Sequence, residues 1–127
     1  MIKGLLLDVK KNTIEEFEIE KGYVALQKVL GVDTFNVVTR RFGDVWLDIY
    51  VDDEGLFKEN NPLAVITYEG NGRVVEEIVG TVFVAKCNKN GETISLTNKD
   101  FKNLRESVFT YWDYKNNLFR NVLVCKV

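Results

Sequence analysis

The stretch NPLAVITYEGNGRVVEEIVGTVFVAK, residues 61–86, decides how this chain folds. It holds the sole proline, a Gly-Asn-Gly turn and, over residues 78–86, the most strand-like run in the sequence. Within that run Val79, Thr81, Phe83 and Ala85 alternate with Ile78, Gly80, Val82 and Val84. Both sets are mostly apolar or β-branched, so neither face is written for water, and the run reads as a central strand covered on both sides. Gly80 interrupts it, which suggests a bulge or a second backbone passing close by. Gly70-Asn71-Gly72 reads as a hairpin turn, being too short for a dinucleotide fingerprint and followed by no helix.

Outward from this stretch, the N-terminal side supplies two strand-like runs, residues 2–9 and 13–19, joined by Lys10-Lys11-Asn12. The second carries Glu15, Glu16 and Glu18 among its apolar residues, as an edge strand protected by charge does. A helix is expected over 21–30, with Tyr23, Leu26, Val29 and Leu30 at helical spacing and Gly31 as a left-handed C-terminal cap. Residues 34–41 and 45–51 read as a hairpin turning at Phe42-Gly43-Asp44. Val45, Leu47, Ile49 and Val51 share one face there, and Trp46, Asp48 and Tyr50 the other. Asp52-Asp53-Glu54-Gly55 reads as a solvated turn, because it lacks the ligand spacing of a calcium loop. A loop is expected over 56–61, and Pro62 turns Asn61 away from helical geometry.

On the C-terminal side, residues 88–92 form a turn with Asn90-Gly91 as a type I′ candidate, and 93–96 a short strand. Thr97 with Asp100 resembles a capping box, opening a helix over 98–107 with Phe101, Leu104 and Val108 on one side. The tail divides into 109–114 and 118–127 about Lys115-Asn116-Asn117, a terminal hairpin packed on the body. The expected fold is α+β: one domain over 1–127, with a core over 1–108 and a C-terminal extension over 109–127. It contains a mixed, largely antiparallel sheet, two helices and a C-terminal hairpin.

Composition excludes more than it selects. The 127 residues are 46% hydrophobic and 28% charged with a net charge of −2, ordinary for a soluble globular protein. A pI near 5.2 with mixed signs argues against bulk attraction to nucleic acid or anionic membrane. No segment approaches the roughly 18 apolar residues of a membrane span, and the apolar N-terminal run is too short for a signal peptide. Cys87 and Cys125 lack motif spacing and read as reduced thiols of a cytoplasmic protein. With no histidine in the chain, Ser-His and Cys-His nucleophiles and imidazole metal sites are ruled out. Glu76-Glu77 are adjacent and point to opposite faces of a strand, so they make no acid–base pair. Neither catalysis, metal nor cofactor is expected.

Two constellations suit binding. Arg40 and Arg41 stand beside the face that carries Trp46 and Tyr50, a combination suited to stacked, phosphate-bearing ligands. The alternative is an outer sheet face covered by a helix or hairpin. The second is the tail, where Phe109, Tyr111, Trp112, Tyr114, Phe119 and Arg120 supply the residue types that dominate protein-interface hot spots. Copies of this chain or a second protein would meet it there. Stacking on single-stranded nucleic acid uses similar residues but needs a positive groove that the charge does not promise.

The order of motifs resembles an uncharacterised domain family of unknown function, frequent in bacteriophage and plasmid accessory genes. The resemblance rests on the N-terminal strand pair, the helix ending at Gly31, the hairpin ending in Asp52-Asp53-Glu54-Gly55 and Asn61-Pro62-Leu63-Ala64. Ile78-Val79-Gly80-Thr81-Val82 and Ser95-Leu96-Thr97 complete it, so that it covers about residues 2–107. It implies a mobile-element origin and supplies no catalytic residues. The expected function is that of a non-enzymatic accessory protein in the host cytoplasm that counteracts host defence by binding. It would capture a defence protein, or sequester a small nucleotide between Arg40, Arg41 or Arg73 and a base stacked on Trp46 or Tyr50. The alternative is a structural or regulatory module of the mobile element that contacts DNA or replication proteins.

Overall fold

β1 (Ile2–Asp8) and β2 (Thr13–Ile19) pair antiparallel along their full length, with Ile2 opposite Ile19 and Asp8 opposite Thr13. The computed structural model describes residues 1–55 and 61–127, so the loop expected over 56–61 lies outside the described residues except for Asn61. Helix α1 (Tyr23–Leu30) follows and stops at Gly31, whose φ of 69° is the expected left-handed cap. β3 (Phe35–Phe42) and β4 (Val45–Asp52) form a hairpin in which Phe42 faces Val45 across Gly43-Asp44. β5 (Leu63–Tyr68) and β6 (Val74–Val79) form the next, turning at the Gly-Asn-Gly sequence. β7 (Val82–Cys87), a short β8 (Thr93–Ile94), helix α2 (Asn98–Glu106) and the hairpin of β9 (Val108–Asp113) and β10 (Leu118–Lys126) complete the chain.

Among the described residues the strands join in one sheet, ordered β2-β1-β7-β4-β3-β10-β5-β6, with β8 on β7 and β9 on β10. Only β5 and β10 pair in parallel among the described residues. The fold is α+β, with a mixed, largely antiparallel sheet and two helices.

The decisive stretch needs a correction. Residues 78–86 are not one strand: the chain turns at Gly80 (φ 92°), whose N–H bonds to Pro62 O at 2.8 Å. The positive φ calls for glycine, and a Cβ there, 2.8 Å from Asn61 Nδ2, would also displace the Asn61 amide. The half after the break, β7, is the central covered strand, with Val82, Phe83, Val84 and Ala85 all fully buried. The half before it belongs to β6, at the sheet edge. A second correction concerns Asn90-Gly91. A type I′ turn needs positive φ at both residues, but Gly91 has it (79°) and Asn90 does not. Asn88 bonds across to Glu92, so the loop holds three residues instead of two.

The tail is built into the sheet and does not lie against it. β10 sits between β3 and β5, and Leu123, Val122 and Cys125 are buried. Its first half meets the β1–β2 turn, where Arg120 Nη1 bonds Val9 O at 3.0 Å and Asn12 Nδ2 bonds Phe119 O at 2.8 Å. β7, β4 and β3 separate β1 from β10 in the sheet order, so these contacts require a strongly curled sheet.

The curl encloses one apolar cluster containing Leu5, Leu7, Phe42, Leu47, Ile49, Val65, Val82, Val84 and Leu123. Phe101 and Leu104 of α2 pack into it. Thr97 and Asp100 make both bonds of the expected capping box, and Asp100, itself buried, meets Lys86 Nζ at 2.9 Å. Burial alone would raise the Asp100 carboxyl, but the Thr97 N–H and the Lys86 ammonium bring it below its ordinary range. The opposite face carries a second cluster, in which Leu26 and Leu30 of α1 cover Ile2, Leu6, Ile19, Tyr50 and Phe83. Gly4 is needed here, because a Cβ would overlap the Phe83 ring and the Val84 carbonyl.

Candidate functional site

Strand alternation separates the residues of the first constellation. Arg41 lies directly opposite Trp46, and Val37 opposite Tyr50, on the face that α1 partly covers. Arg40 pairs with Leu47 and so faces the enclosed cluster. There its Nη2 meets Glu76 Oε1 at 2.9 Å and its Nη1 bonds Thr39 O, while its Nε has no partner among the described residues. Thr67 continues the chain, bonding Glu76 Oε1 at 3.3 Å and lying 3.4 Å from Cys125 Sγ. Burial pushes the Cys125 thiol up, which suits an inert core thiol and not a nucleophile.

Tyr50 is buried against Phe35, ring centres 5.8 Å apart, with its hydroxyl 2.9 Å from Thr93 Oγ1. Arg73 stands beyond the β5–β6 turn and pairs loosely with Glu69 at 3.7 Å. The five residues expected to form a ligand site therefore do not converge. What stays together is Trp46, 56% exposed, with Arg41 opposite it on β3 and Lys126 opposite Arg41 on β10. Lys126 escaped the sequence reading, because only the order of the strands brings it there.

The tail residues divide as well. Arg120 is a lock: its Nε meets Asp113 Oδ2 at 2.6 Å and its Nη1 the Val9 carbonyl, with 10% of the side chain exposed. Asp113 organises the turn, accepting bonds from the backbone N–H groups of Lys115 and Asn116 and from the Asn116 side chain. The Asn116 bonds and then the Arg120 guanidinium hold its carboxyl down to about 2. Tyr111 donates its hydroxyl to Leu63 O at 3.2 Å and is also committed to the fold. Phe109 lies opposite Val122 and Phe119 opposite Trp112, in register positions that alternate between faces, so Phe109 stands apart from the remaining rings.

At the hairpin tip the exposed Tyr114 and Phe119 rings pack about a half-buried Trp112. The Trp112 and Phe119 rings meet edge to face at 4.8 Å, and Trp112 and Tyr114 at 6.4 Å. Tyr114 is 88% exposed and Phe119 64%. The β1–β2 turn, which carries the exposed Lys10 and Lys11, bonds Phe119 O through Asn12. Rings packed on one another lose little side-chain entropy when a further surface covers them.

Against known proteins, the family described as Domain of unknown function (DUF3846) matches residues 2–108, and the chain belongs to it. As the motif order led one to expect, the family is an uncharacterised one, matched over nearly the expected residues 2–107. The match stops at the start of β9, so the aromatic tip lies outside it. No curated protein and no solved structure matches the chain.

Proposed function

From membership in a family that brings no chemistry with it, we propose that this protein works by binding another protein through the Trp112–Tyr114–Phe119 tip, without catalysis. The observation that carries the proposal is the solvent exposure of Tyr114 and Phe119, packed on the half-buried Trp112, on a hairpin otherwise fastened to the body by Arg120 and Tyr111. The exposed Lys10 and Lys11 of the β1–β2 turn that Phe119 O joins favour a partner surface with apolar sockets edged by carboxylates. In the setting we propose, an accessory protein of a phage or plasmid blocks a host defence protein in this way. A photo-crosslinking residue at position 114, expressed in host cells, should capture one defined protein that the same residue at position 89 does not. Equal capture from both positions would reject the tip as the contact.

Nucleotide sequestration is the second reading, supported by Trp46, Arg41 and Lys126 on neighbouring strands. A ligand at 100 times its dissociation constant stabilises a protein by about 2.7 kcal/mol, well within reach of a melting assay. Stabilisation by a cyclic or linear nucleotide that is lost in Trp46→Ala would favour this reading; no shift across the panel would remove it.

A further inference from the structure

We propose that the open edge of β2, with the groove between β2 and α1, is a docking site for an extended, lysine- or arginine-bearing protein segment that adds to the sheet as a strand. Among the described residues β2 pairs only with β1, so the backbone groups of its outer side are free to pair. Beside it lies an open groove of about 430 Å³, whose apolar lining includes Phe17, Ile19, Ala25 and Val29. Phe17 remains exposed there.

The charge of the strand selects the occupant. Residues 13–20 read TIEEFEIE, four acids with no base, all four exposed. Glu15, opposite Leu6, lies on the α1 face, while Glu16, opposite Leu5, lies on the other, so carboxylates flank both faces of an added strand. Lys3 engages Glu16 at 3.4 Å, and Lys11 and Lys28 stand in the groove, which leaves the strand itself in acid excess. A second copy pairing antiparallel about Phe17 would set Glu16 against Glu18 twice, and facing like charges repel. Charges placed to deter edge pairing explain the glutamates but not an exposed phenylalanine over an apolar groove; a cationic strand with apolar alternate residues satisfies both. The other edge, β6, offers a poorer template, since its register with β5 shifts twice. This site shares only Lys11 of the β1–β2 turn with the neighbourhood of the aromatic tip and uses none of the tip's rings.

The test uses the full chain and a synthetic peptide alternating lysine and valine, followed by NMR. Titration should shift the β2 and Val29 signals and slow hydrogen exchange at the outward amides of β2. In Glu15→Lys/Glu18→Lys the affinity should fall by roughly tenfold or more, and a peptide alternating glutamate and valine should then bind in its place. Shifts spread over all acidic surface without new exchange protection, no binding, or pairing of β2 with a second copy would each overturn the proposal.

Discussion

The guanidinium of Arg120 and the carboxylate of Asp113 meet at 2.6 Å across the β9–β10 hairpin, and both side chains are almost fully covered. Through its Nη1 the same arginine holds the Val9 carbonyl, so one side chain ties the hairpin to the β1–β2 turn. Arg120→Ala takes the guanidinium from both acceptors, leaving Asp113 with its bonds from Lys115 and Asn116, and should lower the melting temperature by roughly 5 °C. Because the folded carboxyl sits at about 2, below its unfolded value, the contribution is present above the unfolded pKa. It is lost as pH falls from about 4 through about 2. Melting curves over that window should show a steeper loss for the wild type than for Asp113→Asn, and parallel curves would contradict the assignment.

The chain cut at residue 108 should fail to fold, even though the family match ends there. The cut removes Leu123 and Cys125 from the enclosed cluster and strips β5 of its parallel partner. Losing even one buried leucine costs about 2–5 kcal/mol, comparable to much of a domain's stability. Circular dichroism of residues 1–108 is the check; a cooperative melt would show that β10 is dispensable.

Both predictions concern contacts that strand order makes and that the residues alone show only in part. Hairpins and helix ends were legible because their signals are local: Gly31, Gly43 and the Thr97–Asp100 box each specify their own geometry. The break at Gly80 was not, since a glycine in an apolar run reads equally as a bulge or as a reversal. Deciding between them depends on Pro62 and Asn61, distant in sequence. Likewise the tail reads as a hairpin from its own turn, whereas its insertion between β3 and β5 is a property of strand order. Of the candidate residues, Arg40 and Arg41 were grouped by adjacency, which strand geometry undoes by pointing neighbours to opposite faces. The aromatic character of the tip was visible; which rings the fold leaves in water was not.

Cys87 should react slowly with thiol reagents despite its exposure. The Asp48 carboxylate beside it pushes the thiol up from its ordinary value, and the thiolate is the reactive form. Replacing Asp48 by Asn should speed modification several-fold at neutral pH; an unchanged rate would show that the carboxylate has no hold on the thiol. Cys125, buried, should react only on unfolding.

The central claim is that the protein acts through the rings at the β9–β10 tip. The most direct measurement compares proteins recovered from host cells by the wild type and by Tyr114→Ser/Phe119→Ser, quantified by mass spectrometry. Both positions are largely exposed, so the double variant should melt as the wild type does. The account predicts that a defined protein bound by the wild type falls by about tenfold or more on the variant, as the loss of hot-spot contacts requires. Equal recovery of that protein by an equally stable variant would contradict it.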